Sequence, residues 1–134
     1  MSTALMYLAW TALITVLMWI PYTLQLIQGQ GLMAAVGNRD NIKPMAPWAE
    51  RCKRAHKNAV ENLVVFAALV LVANATGHMG SAIGMAAMIY FWARVAHYIV
   101  YWIGLPWLRT LVWTIGWICL LVIAWQVLFA SPMM

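Results

Sequence analysis

Four long apolar stretches, divided by short polar ones, set the pattern of this chain. The first runs from about Ala4 to Gln28, a helix starting near Ser2 and bent or loosened at Pro21, which lacks an amide proton. A connection containing Gly, Asn and Pro follows from Gly29 to Pro47. The second helix begins near Trp48, with Pro47 before it and Glu50 in its first turn, and ends about Asn74. The third extends from about Ser81 to Gly104, and the fourth from Pro106 or Trp107 to about Phe129. Each exceeds the roughly 20 residues needed to cross the hydrocarbon of a bilayer. The pattern predicts an all-α integral membrane protein, a four-helix transmembrane bundle forming one domain over residues 1–134.

Composition agrees with a lipid environment. Of the 134 residues, 66% are hydrophobic and 8% charged, with a mean hydropathy of +0.82, too apolar for a soluble core of this size. The first stretch is expected to remain as a span, because it lacks the basic leader of a secretory signal, exceeds its apolar segment in length and precedes no small-residue cleavage motif. Trp48, Trp102, Trp107 and Trp125 stand at predicted span ends, where tryptophan anchors chains at the membrane interface. Gly80 and Gly84 are small enough to permit close helix contact.

The net charge of +5 is unevenly spread, since Arg39, Lys43, Arg51, Lys53, Arg54 and Lys57 all precede the apolar run of the second span. By the positive-inside rule, that side and the 29–47 connection face the cytoplasm, and both termini lie on the opposite side. No nucleic-acid recognition module or stacking platform accompanies these cations, so a lipid headgroup or a small anion is the expected partner, and no nucleic acid. Cys52 and Cys119 fall on different predicted helices and suggest neither a disulfide framework nor a metal site. His56 is expected at the headgroup level or a pocket rim, and His78, in the opposite connection, in solvent.

Within the second span Arg54, Lys57, Asn58 and Glu61 recur at i, i+3, i+4 and i+7, one face of a helix. Arg94, His97, Tyr98 and Tyr101 repeat that spacing on the third. The two spans are antiparallel neighbours, so the stripes are expected to face inward and meet at similar depth. An unpaired Glu61 or Arg94 within the membrane would cost about 2.5 to 3.5 kcal/mol on insertion scales, so the two should either pair with each other or serve a ligand. Several cations, an amide, an imidazole and two phenols against one carboxylate favour an anionic ligand with donors and acceptors of its own. Arg109, with Thr110 beside it, enters the fourth helix at the same level and is the candidate for stabilising a reactive anion; its simpler role is an interfacial arginine. A bis-histidine haem would account for His56 or His97 but leaves the cations unexplained and finds no second histidine pair.

The stretch Glu50-Arg51-xxx-Ala55-xx-Asn58-xx-Glu61, then Arg94-xx-His97-xxx-Tyr101 and Pro106-xx-Arg109, resembles the MAPEG family, the membrane-associated proteins in eicosanoid and glutathione metabolism. The resemblance covers essentially the whole chain. It implies a homotrimer of four-helix protomers that binds glutathione as co-substrate between subunits near the cytoplasmic side, without a metal, while a lipophilic electrophile or lipid hydroperoxide arrives from the bilayer. By the same resemblance Arg54, Lys57, Asn58, Glu61, Arg94, His97 and Tyr101 contact glutathione, and Arg109 lies near its sulfur, with Thr110 where some members carry serine. Lys57 stands where relatives often have arginine, which exchanges a forked contact for a point charge. The short chain with tight loops is similar to bacterial members, implying the bacterial inner membrane.

The expected activity is therefore glutathione transferase or peroxidase chemistry, with Arg109 and Tyr101 as the catalytic pair. Tyr101 has an alternative role as a buried tyrosine satisfied by a neighbouring helix. A non-catalytic protein of the same fold that binds glutathione or lipid is the rival reading. A small four-span transporter fits less well, because the cations around Glu61 would repel a cationic substrate.

Overall fold

A computed structural model describes residues 1–132. Six helices follow in order: α1 Thr3–Leu17, α2 Trp19–Gln30, α3 Leu32–Val36, α4 Pro47–Ala75, α5 Ser81–Ile103 and α6 Pro106–Phe129. Taken as one 28-residue run, α1 and α2 join α4, α5 and α6 as four helices long and apolar enough to cross a membrane. Among the described residues the chain is all-helical, and its four long apolar helices fit a multi-pass membrane protein.

Local chemistry explains the helix ends. Ser2 Oγ accepts the Leu5 amide to start α1. Pro21 has no proton to donate to the Leu17 carbonyl, four residues back, and the helix breaks at Met18, whose amide bonds instead to Thr15. The single bent helix expected from the sequence is therefore two. Pro47 and Pro106 open α4 and α6 at the one turn that does not need their amides. Gly104 ends α5 with a left-handed φ of 92°.

The Gly29–Pro47 connection is more ordered than its composition predicts. Helix α2 continues to Gln30, and α3 follows directly after Gly31. The Gln30 side chain pairs with the Lys43 backbone, its amide nitrogen donating to the carbonyl and its oxygen accepting the amide, each at 2.7 Å. Ala35 of α3 then packs with Leu26, Met45 and Ala49 in a small apolar cluster.

Helix α5 is the centre of the bundle, buried along half of its most apolar stretch where the other spans reach 22%. Its Ile83, Ala86, Ala87 and Tyr90 meet Phe66, Val70 and Ala73 of α4, Cys119, Leu120 and Ile123 of α6, and Ala4 of α1. Gly84 permits the α1 contact, since a Cβ there would come within 3.3 Å of the Thr3 side chain. Gly80 does not share that role, because it sits ahead of α5 with extended backbone. His78 is not simply solvated: its Nδ1 meets Thr76 Oγ1 at 2.7 Å and its Nε2 the Ala130 carbonyl oxygen at 3.1 Å, tying the α4–α5 connection to the end of α6.

Candidate functional site

The polar residues of α4, α5 and α6 form a connected ladder. Asn62 Nδ2 donates to the Asn58 carbonyl oxygen at 2.9 Å and approaches Asn58 Oδ1 at 3.3 Å. Asn58 Oδ1 also accepts Arg94 Nη2 at 2.7 Å, which fixes the amide with its oxygen toward the guanidinium. The same Nη2 lies 3.5 Å from His97 Nδ1. The His97 ring meets Tyr101 edge to face with centroids 5.4 Å apart, and the Arg109 guanidinium carbon sits 4.6 Å from the centre of the Tyr101 ring. Asn58, Arg94, His97, Tyr101 and Arg109 are thus brought together by three helices.

Burial grades along this ladder. Arg94 is 3% exposed and His97 2%, whereas Asn58, Tyr101 and Arg109 are half-buried. Arg94 Nε is buried without a hydrogen-bond partner among the described residues. The guanidinium is therefore held by an amide and an imidazole, and no carboxylate among the described residues neutralises its charge.

Glu61 and Arg94, expected either to pair or to serve a ligand, do not pair with each other. Glu61 is exposed on the outer side of α4, as are Arg54 and Lys57, while Asn58 alone of that stripe reaches α5. At about 100° per residue, Glu61 points roughly 60° away from Asn58, enough to carry it past the α4–α5 contact. The two stripes do not face one another as expected: Asn58 lies in the contact with α5, and Arg54, Lys57 and Glu61 face away from it on the outside of the chain. Two hollows, of about 490 and 500 Å³, lie elsewhere, at the 29–43 connection and beside the start of α1. Thr110 is exposed beside Arg109, and its hydroxyl donates to the Pro106 carbonyl at 3.1 Å.

Tyr98 and several polar residues outside the two stripes hold the bundle. Tyr98 leaves the stripe: its hydroxyl donates to the Met18 carbonyl at 3.0 Å and lies 2.8 Å from Cys52 Sγ, across the break between α1 and α2. One residue of α helix separates it from His97, a rotation of about 100° that points it to the opposite neighbour. His56 is half-buried, its Nδ1 2.7 Å from the Tyr22 hydroxyl. Glu50 Oε1 accepts the Met45 amide at 3.0 Å, and Arg51 Nε donates to the Trp102 carbonyl at 3.1 Å. Cys52 and Cys119 are buried and free. Asn62 joins the ladder from outside the two stripes, and its position one turn after Asn58 is the sequence signal for that contact.

The model of the MAPEG family matches residues 3–129. No curated protein matches the chain.

Proposed function

The chain belongs to the MAPEG family, whose members include glutathione transferases and peroxidases, and we propose that it activates the glutathione thiolate for attack on a lipophilic electrophile or hydroperoxide. The observation that carries this reading is the guanidinium of Arg94, held in a membrane span by Asn58 and His97 and linked through Tyr101 to a second guanidinium at Arg109. Two fixed positive charges around a phenol suit a ligand with carboxylates and a thiol.

Glutathione carries two carboxylates, an ammonium and a thiol. In this reading Arg54 and Lys57 take the carboxylates, Glu61 takes the ammonium, and Asn58 and His97 supply hydrogen bonds. Arg94 adds its charge from behind and fixes both of those side chains. Arg109 and Tyr101 meet the sulfur, Arg109 favouring the thiolate by charge and Tyr101 by donating its hydroxyl proton into a hydrogen bond, with Thr110 lining the approach. A free thiol near pKa 8.5 is only a few per cent ionised at neutral pH, and lowering it by about two units makes the thiolate dominant. With an aryl halide, the carbon–sulfur bond forms and halide leaves. With a hydroperoxide, the sulfur takes one oxygen and releases the alcohol, and a second glutathione then forms the disulfide and water.

Assembly is part of the same proposal. Glu61 lies about 21 Å along α4 from its start, at 1.5 Å per residue, and is exposed on a single chain. A carboxylate there facing lipid would cost a few kcal/mol. A second copy covering Arg54, Lys57 and Glu61 in a homotrimer removes that cost and encloses the ladder. The basic residues from Arg39 to Lys57 support a cytoplasmic site with both termini opposite, in a bacterial inner membrane.

The test uses purified protein in lipid. Glutathione binding is measured beside conjugation of an electrophilic aromatic halide and reduction of a lipid hydroperoxide. Saturable binding with either turnover supports the proposal. Binding without turnover leaves a non-catalytic binder, and absence of binding overturns the site.

A further inference from the structure

The short helix α3 is built unlike a solvent loop. Ala35 faces inward against Leu26, Met45 and Ala49, while Leu32, Met33 and Val36 on the other side are 59%, 78% and 65% exposed. Three large apolar side chains on five residues, outside the spans, are costly in water and favourable in the outer hydrocarbon. The segment is also fixed in place. The Gln30 side chain pairs with the Lys43 backbone, and Arg39 Nε donates to the Ala35 carbonyl at 2.8 Å.

Its depth can be read from its neighbours. Ala49, against which α3 packs, follows Trp48, and Trp48 stacks on Trp102 at a centroid distance of 5.5 Å. Paired tryptophans at the start of one span and the end of another mark the level where hydrocarbon gives way to headgroups. Helix α3 therefore lies at that level, one residue beyond the end of α2.

Beside it is a hollow of about 490 Å³ whose lining includes Met33, Arg39, Lys43, Asn38, Asn41 and Asp40. It offers an apolar edge, two cations against one carboxylate, and amides able to bond phosphate oxygens.

We propose that α3 and this hollow form a binding site for an anionic phospholipid, with Leu32, Met33 and Val36 in the acyl boundary and the headgroup phosphate between Arg39 and Lys43. The site is separate from the Arg94 ladder and does not depend on glutathione binding. Membrane basic clusters of this kind each add attraction that weakens with salt. Here the apolar face places the helix and the cations select the headgroup.

The experiment places an environment-sensitive fluorophore at Met33→Cys, and separately at Val36→Cys in case one position disturbs folding. The otherwise unaltered chain serves as the labelling blank, since both native cysteines are buried. Pro44→Cys, exposed and outside the lining of the hollow, is the solvent-facing reference. The labelled protein is reconstituted into vesicles of phosphatidylcholine, or of phosphatidylcholine mixed with phosphatidylglycerol, with a trace of lipid carrying a headgroup nitroxide. The expected result is blue-shifted emission at Met33, quenched by the lipid nitroxide and protected from acrylamide, with stronger quenching in the anionic vesicles. Lys43→Gln, which leaves the backbone bonds to Gln30 in place, should abolish that increment. Acrylamide access equal to that at Pro44 overturns the proposal, as does protection from both quenchers, which would mean that protein covers α3. Equal lipid quenching in both vesicle types, or an increment that survives Lys43→Gln, overturns the headgroup site.

Discussion

The two halves of the α4–α5 contact are made of different materials. Toward the 76–80 connection, Phe66 and Tyr90 pack with ring centroids 4.1 Å apart, flanked by Val70, Ala73, Ile83 and Ala87. Toward the other end the same two helices meet through Asn58 and Arg94, with Asn62 and His97 behind. In a bilayer, apolar side chains gain little by leaving lipid, so the first half coheres by close shape and van der Waals contact. The second coheres by hydrogen bonds that leave a positive charge in place. Stability is concentrated in one half and chemical potential in the other.

Substitutions can break that division. Phe66→Ala should have the largest effect, about 3 kcal/mol of bundle stability, read as earlier unfolding in detergent, because it opens a cavity against Tyr90. Glutathione affinity of the protein that stays folded should change little. A large loss of affinity would show that the two halves are not separable.

Arg109→Ala should lower turnover about a hundredfold while changing glutathione affinity much less, as for loss of one donor that stabilises a reacting anion. Ultraviolet absorbance of bound thiolate reads this directly. A signal equal to that of the parent would remove Arg109 from its proposed role and leave only its contact with Tyr101.

Asn58→Ala should cost about 2 kcal/mol, since it leaves a buried guanidinium without its amide acceptor. It should also weaken glutathione binding, which titration calorimetry would measure. Tyr90→Phe should have the smallest effect and the opposite sign. The Tyr90 hydroxyl is buried without a hydrogen-bond partner among the described residues, so its removal should be neutral or stabilise by up to about 1 kcal/mol in the same unfolding assay. Marked destabilisation by that change would place a polar contact in the half described here as apolar.

The spans were legible because their apolar runs are long and their ends carry Pro47, Gly104 and Pro106, whose backbone chemistry acts locally. Pro21 likewise foretold a disturbance, and only its extent was missed. Helix α3 was hidden for the opposite reason. Leu32 to Ala35 are good helix formers, but five residues between Gly31 and Gly37 are too few for a helix to hold by itself, and it persists because Ala35 has a cluster to pack against. The ladder was legible as a set of faces. Spacing places Asn58 and Glu61 on one stripe, and His97 and Tyr98 on another, yet only the crossing of real helices selects Asn58 for Arg94 and sends Tyr98 to Met18. Periodicity resolves a sector of a helix, not the single residue at a contact.

Arg51 binds the Trp102 carbonyl, and a Cβ on Gly104 would come within 3.1 Å of its Nε, so this one side chain buttresses the end of α5 and the corner leading to α6. Donor and acceptor are 51 residues apart in the sequence. Because synthesis runs from the amino terminus, Arg51 is made before Trp102 and can form this bond only after the whole of α5 exists. The joint closes only once α5 has arrived, which makes that side chain a latch set by the order of insertion.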